Sequence, residues 1–297
     1  MTSTHPPHDL PPLVTAGPPP GWVAGTGFSL RTIWEQRELL GLLVRREIKA
    51  RYKDSSLGLL WSLLRPLTQL LIYYVAIGKF LGAERSVPEF AVFVFTGLTV
   101  WGLFSEVISG TTTSIVANSG LIKKVYLPRE IFPLSSVGSA LFNFAVQFMI
   151  LLVATLALGH PPLHVEFLYV PLALVVVLLF SFSVGLLLSA INVYLRDFQH
   201  LVEVFLLVLF WASPITYSYT LVHRALNGNW VEQLYLCNPV TLVVIGFQRA
   251  MWMAGVNETW PPHLTLRLTI VGILSLVLLW IAHRVFARLE GNFAQEL

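Results

Sequence analysis

The sequence predicts an all-α integral membrane protein. It would have six transmembrane helices, an N-terminal amphipathic interface helix and a short external re-entrant helical hairpin between spans five and six. Three observations carry that prediction. Of 297 residues, 55% are hydrophobic and only 12% charged, against roughly 25% charged in an ordinary soluble domain. Six segments approach the roughly 20 apolar residues a helix needs to cross a bilayer. A basic stretch also runs straight into an apolar one at 45–66, RREIKARYKDSSLGLLWSLLRP, with only the polar step 54–56 between them. Such a junction marks a membrane boundary and its cytoplasmic side.

Residues 1–28 hold seven prolines and no Lys or Arg. A secretory signal needs a basic start and an apolar stretch of about 7–15 residues. The segment is therefore read as a disordered cytoplasmic tail. Residues 29–56 follow as the amphipathic helix, with Ser29 as N-cap. Leu30, Ile33, Trp34, Leu40, Leu43, Val44 and Ile48 gather on one face, and Glu38, Arg45, Arg46 and Lys49 lie mostly away from it. A helix of this kind lies in the interface plane with its cations near anionic head groups. It is either an anchor or a docking surface.

The transmembrane domain is expected over 57–288. Its spans fall near 58–82, 89–115, 133–159, 167–194, 201–222 and 264–283, and 289–297 forms a cytoplasmic tail. Glu106 in span two and Glu203 in span five would be costly facing lipid, so each should face the bundle interior or a wet lumen. The connection 223–263 is too long for a turn. Within it, 239–248 is apolar for too few residues to cross, which suits a re-entrant or interfacial helix better than a loop lying on the membrane.

Basic residues set the orientation. With the N-terminus inside, the cytoplasmic segments hold Arg31, Arg37, Arg45, Arg46, Lys49, Arg51, Lys53, Lys123, Lys124, Arg129, Arg196, Arg284 and Arg288. The external ones hold only Lys79, Arg85, Arg224, Arg249 and Arg267. Both termini are then cytoplasmic.

Several function classes lack their residues. No GxxxxGK[ST] phosphate loop occurs, so the chain would not bind ATP in that manner. Asp9, Asp54 and Asp197 make no DxD pair, and the eight histidines show no metal-ligand spacing, so no metal site is assigned. No GxSxG elbow appears. Cys237 stands alone, which excludes an intramolecular disulfide. The net charge of +3 gives no reason to expect nucleic acid as a partner. Without an energy source of its own, a transporter of this composition needs a partner.

Other residues have readings from position. Arg196 and Asp197, at the inner end of span four, form a local ion pair, reach the neighbouring cytoplasmic loop, or simply mark the boundary. Arg65 snorkels inward or meets a lipid phosphate. Pro66 suits a first turn or a kink. Pro214 should bend or break span five, as a gating hinge or a structural kink. Most aromatic residues of spans one and five suit packing or the interfacial belt. Tyr73, Tyr74, Trp211 and Tyr217 are candidates, with Glu106, to face a lumen, the path of any cargo.

The loop after span two carries the run LIKKVYLPREIFPLS (121–135). It resembles the first cytoplasmic loop of ABC-2 type permeases that export polysaccharides and teichoic acids. RREIKARYKDSSLGLLWSLLRPL (45–67), INVYLRDFQHLVEVFLLVLFWASPITY (191–217), Cys237-Asn238-Pro239 and the C-terminal ARLEGNFAQEL are similar to blocks of the same family, in the same order. The resemblance runs from about residue 29 to the end. It implies a half-transporter: two copies around a conduit, over two copies of a separate P-loop ATPase that holds the ATP and Mg, with no cofactor in this chain. Leu121, Ile122, Lys123, Lys124, Pro128, Arg129 and Glu130 would form the coupling helix pushed by the ATPase. Spans one and five would line the path, and a hairpin near 226–256 would gate its outer end.

The resulting expectation is a permease subunit in the bacterial cytoplasmic membrane, moving a lipid-linked polysaccharide or teichoic-acid-like polymer outward. Arg45, Arg46, Lys49, Arg51, Lys53 and Arg65 are the cations available at the inner entrance for a pyrophosphate head group, for lipid or for the ATPase. One alternative is an ABC-2 permease for a small molecule or lipid. Another is a membrane-embedded glycosyltransferase or acyltransferase, which would need a catalytic cluster that is not visible.

Overall fold

A computed structural model describes residues 27, 31–52, 60–125 and 127–297. Most of the proline-rich tail, the Ser29 cap, Leu30, the polar step 54–56, Lys53 and Tyr126 lie outside the described residues. Those described are helical or in turns, with no strand among them.

The helices are α1 (Arg37–Tyr52), α2 (Leu60–Tyr73), α3 (Phe90–Ala117), α4 (Ser119–Ile122), α5 (Ile131–Ala157) and α6 (Tyr169–Tyr194). They continue with α7 (Phe198–Trp211), α8 (Tyr219–Leu226), α9 (Trp230–Leu236), α10 (Pro239–Met251), α11 (Leu264–Leu289) and α12 (Phe293–Glu296). After Tyr73 the α2 turns widen over Tyr74–Phe80, where the Leu81 amide donates five residues back to Ala76 O at 3.2 Å.

Among the described residues, five helices are long and apolar enough to cross a membrane, or up to six if the bent pair α9–α10 is one span. Five of the six expected spans coincide with them. The sixth, expected over 201–222, is helical only over Phe198–Trp211, 14 residues. At about 1.5 Å per residue that falls short of a bilayer core of about 30 Å.

The break follows from Pro214, which has no amide to continue the helix. Its carbonyl does not go unsatisfied: Gln248 Nε2, from buried α10, donates to Pro214 O at 2.7 Å. Ser213 and Ile215 are fully buried in this turn. A Cβ at Gly97 of α3 would stand 3.2 Å from the Ile215 backbone, so a larger residue there would push the turn outward by a few tenths of an ångström. Irregular backbone inside an apolar bundle is tolerated where protein surrounds it in this way.

Helix α3 is the centre of the molecule and packs on α5, α6, α7 and α10, while α6 also carries α11. Close approach uses small residues, as expected where lipid supplies no hydrophobic drive between helices. A Cβ on Gly185 of α6 would lie 2.9 Å from Thr111 of α3. Buried hydroxyls of Thr96, Thr99, Thr112 and Ser181 donate back to carbonyls one turn earlier, so none is left unpaired in the apolar interior. Asn192 Nδ2 of α6 donates across to Thr112 O of α3 at 3.2 Å.

By contrast α2 is hardly covered: Pro66 is its only buried residue. Leu60, Trp61, Leu64, Leu67, Leu71 and Ile72 are exposed on it. Leu201, Val204, Phe205, Leu207, Val208 and Trp211 are exposed on α7.

Candidate functional site

At one end of the bundle, α3 stops at Asn118 and the chain makes a compact loop before α5. Helix α4 gives one turn, extended by the Lys123 amide to Ser119 O (3.1 Å) and the Val125 amide to Leu121 O (3.0 Å). Pro128 lacks an amide and ends the turn; its carbonyl accepts from the Ile131 amide at 3.3 Å as α5 begins.

The alternation of residue types in this loop sorts its side chains. Ile122 is buried in a cluster with Leu43, Ile115, Ile131, Phe132 and Phe286. Lys123, Lys124 and Val125 point out, and Leu127, Pro128 and Arg129 are half-buried. Glu130 is 6% exposed, with His283 Nε2 of α11 at 3.6 Å from its carboxylate. The loop rims an open cavity of about 230 Å³, lined by Ile122, Lys123, Lys124, Val125, Leu127 and Arg129. Of the residues expected to couple to a partner, Lys123 and Lys124 are exposed beside Val125, Leu121, Pro128 and Arg129 are half-buried, and Ile122 and Glu130 are buried.

Helix α1 lies against the same end, on α5. Its Leu43 is buried, and a Cβ on Gly138 of α5 would meet Val44 Cγ2 at 2.6 Å. The basic residues of α1 divide. Arg45 and Lys49 are exposed, as is Arg65 of α2. Arg46 instead donates to Asn118 Oδ1, at the start of the loop. Arg51 pairs with Glu106 of α3, whose carboxylate also accepts from Asn143 Nδ2 of α5 at 2.6 Å. Two cations expected to face head groups or substrate therefore tie α1 to α3 and to the loop.

Glu47 of α1 accepts from Ser135 Oγ of α5 at 2.6 Å. Burial pushes its carboxyl above the usual carboxylate range, against the opposing pull of Ser135, Arg46 and Arg51. An acid with a raised folded pKa holds its proton more tightly folded than unfolded. Its contribution to stability is full below the unfolded pKa and is lost as pH rises through the folded one. Glu47→Gln should therefore raise the melting temperature in detergent by roughly 1–3 °C at pH 8. It should leave the melting temperature unchanged at pH 4. A lowered value at pH 8 would mean that the charged hydrogen bond to Ser135 outweighs desolvation.

The path candidates do not form one group. Tyr73 stacks on Phe210 of α7 with centroids 5.7 Å apart, and Phe210 meets Trp101 of α3 and Trp211 at 5.4 Å each. Tyr217 Oη donates to Trp211 O at 2.9 Å. These residues share the α2–α7 side. Tyr74 instead carries Lys79 Nζ over its ring at 5.3 Å, and Glu106 faces α1 and α5. Glu203 is exposed on α7, with His200 Nδ1 at 3.7 Å. Arg196 and Asp197 are exposed in the turn between α6 and α7, and no ion pair joins them among the described residues. No group of three His, Cys, Asp or Glu able to hold a metal occurs among the described residues.

Residues 38–252, from the first turn of α1 to just past α10, match the family model described as ABC-2 type transporter. The chain belongs to the ABC-2 type transporter family. This ABC-2 chain is 30% identical over 268 residues to "O-antigen export system permease protein RfbA" of Myxococcus xanthus, covering 90% of this chain and 98% of that one. It is 27% identical to the protein of the same name from Klebsiella pneumoniae, over 88% and 95% of the two chains. It is also 25% identical to "Polysialic acid transport protein KpsM" of Escherichia coli, over 80% and 88%.

Proposed function

We propose that this ABC-2 chain is the membrane-spanning permease subunit of an ATP-driven exporter. Its cargo would be a lipid-linked polysaccharide of the O-antigen or capsule kind, or a teichoic-acid-like polymer, moved from the cytoplasmic side outward across the cytoplasmic membrane. The observation that carries this reading is the likeness, over almost the full length of both chains, to a protein named as an O-antigen export permease. The chain has no phosphate loop, so ATP and Mg belong to a separate P-loop ATPase. The loop 118–130 receives that ATPase, which puts the α1–loop end and both termini on the cytoplasmic side.

Two copies assemble in this reading. The exposed apolar faces of α2 and α7 support it, since the Tyr73–Phe210 pair and Trp211 then line or flank a conduit between copies. The bent pair α9–α10, at 79°, acts as a re-entrant hairpin at the outer end. Arg45, Lys49 and Arg65 remain as cations for lipid or a pyrophosphate head group at the inner entrance, and α1 is the interface helix.

Affinity purification in mild detergent from the native cells, with native mass determination of what co-elutes, tests the assembly. The expected result is a 2:2 complex whose ATPase carries a P-loop. A stable permease recovered alone would overturn the reading.

A further inference from the structure

The C-terminal ARLEGNFAQEL is left without a task by the account above. In the structure it folds back on the loop that the proposed function makes the ATPase contact. After α11 ends at Leu289, the chain turns and Phe293 becomes fully buried. Its ring meets Phe286 of α11 at 5.4 Å and Tyr194, at the end of α6, at 6.2 Å. On the loop side, the Arg129 guanidinium lies 5.9 Å from the ring centroid. Phe293 belongs to the same buried apolar cluster as Ile122. Tyr194 Oη donates to Leu289 O at 3.1 Å, which fixes where the chain turns.

A four-residue helix has too few turns to hold itself together in water. The order of 290–297 therefore comes from tertiary contacts, chiefly those of fully buried Phe293, with Leu297 packed on the same cluster. The same reasoning runs the other way: the loop 118–130 also has only one helical turn, and Phe293 is part of the apolar floor beneath it.

We propose that segment 290–297 is a strap that positions the loop between α3 and α5, with Phe293 as its anchor. The strap holds the buried face of the loop (Ile122, Leu127 and the stem of Arg129) so that its outward face, Lys123 to Val125, is presented rigidly. Its importance to transport rests on reading that loop as the coupling element. Phe293 is thus a positioning residue that acts through Arg129 and Ile122 and touches no substrate.

Limited trypsin digestion of the detergent-solubilised full chain, with cleavage after Lys123 and Lys124 followed by mass spectrometry, reads loop opening without any ATPase. Proteolysis of a folded protein tracks how often the segment opens. Phe293→Ala should speed cleavage at these two sites by about tenfold while other sites keep their rates, and Phe293→Leu should restore most of the protection. Tyr194→Phe, which removes only the hydrogen bond to Leu289, should give a smaller increase and serves if Phe293→Ala fails to fold. Unchanged cleavage in the folded variants overturns the strap. Faster cleavage together with undiminished ATP-driven export by the assembled complex leaves the strap standing and removes the loop from its coupling role.

Discussion

Reversing both charges at the tip of the loop, Lys123→Glu with Lys124→Glu, should reduce glycan export by about 100-fold or more while the permease remains folded and in the membrane. Both lysines are exposed, and neither forms one of the ion pairs found among the described residues. Their replacement therefore has little effect on stability, where surface changes usually stay within about 0.5 kcal/mol. The effect falls on docking. In the proposed complex these lysines face acidic residues of the ATPase. Like charges brought together across such an interface cost several kcal/mol, and each 1.4 kcal/mol is a tenfold change in affinity. Neutral Lys123→Ala with Lys124→Ala should cost much less, because rim charges mainly set encounter rates. Export assays on membranes with matched permease levels would check this. Full export by the reversed variant would mean that the partner does not meet this surface.

How much of this was legible in the sequence depends on whether the controlling interaction was local. The long spans could be read because a run of about 20 apolar residues has one economical use in a membrane. The early end of span five was half visible. Pro214 announced a break, but composition could not say that the chain would stop at Trp211, since that depends on Gln248 reaching back from α10. The stretch 239–248 read as a re-entrant or interfacial helix because it is too short to cross. That α3, α6 and α11 enclose α10 depends on distant segments that composition does not show.

Charge gave a good account of sides and a poor one of partners. The positive-inside pattern treats Arg46 and Arg51 as boundary marks. Whether a guanidinium meets water or Asn118 is decided by a residue 72 positions away. Glu106 was expected to avoid lipid, and it does so by pairing with Arg51. The local signal for the approach of α1 was Ser135 and Gly138 on α5, small residues that meet Glu47 and Val44. Phe293 left no periodic signal, because its burial comes from a chain reversal after Leu289 and not from the face of a long helix.

The Arg51–Glu106–Asn143 arrangement makes the second large prediction, because it separates a lock from a substrate site. It joins α1, α3 and α5 at one carboxylate. Arg51→Ala leaves Glu106 charged in an apolar helix, with Asn143 as its remaining partner among the described residues. The side chains are 44% and 24% exposed, so the loss should fall below the roughly 3–5 kcal/mol of a fully buried broken pair. About 1–3 kcal/mol is expected, the range for leaving a buried hydrogen-bonding group short of a partner. Arg51→Ala with Glu106→Gln should recover most of it, because no charge is then stranded, and a double-mutant cycle in detergent melts would measure the coupling. Arg51→Lys should rescue poorly, since an ammonium cannot reproduce the planar fork. Export then decides between roles. A lock is indifferent to which side carries which sign, so the swap Arg51→Glu with Glu106→Arg should restore both stability and transport. A site for a pyrophosphate head group requires the cation on α1, and there the swap would melt normally while export stayed low.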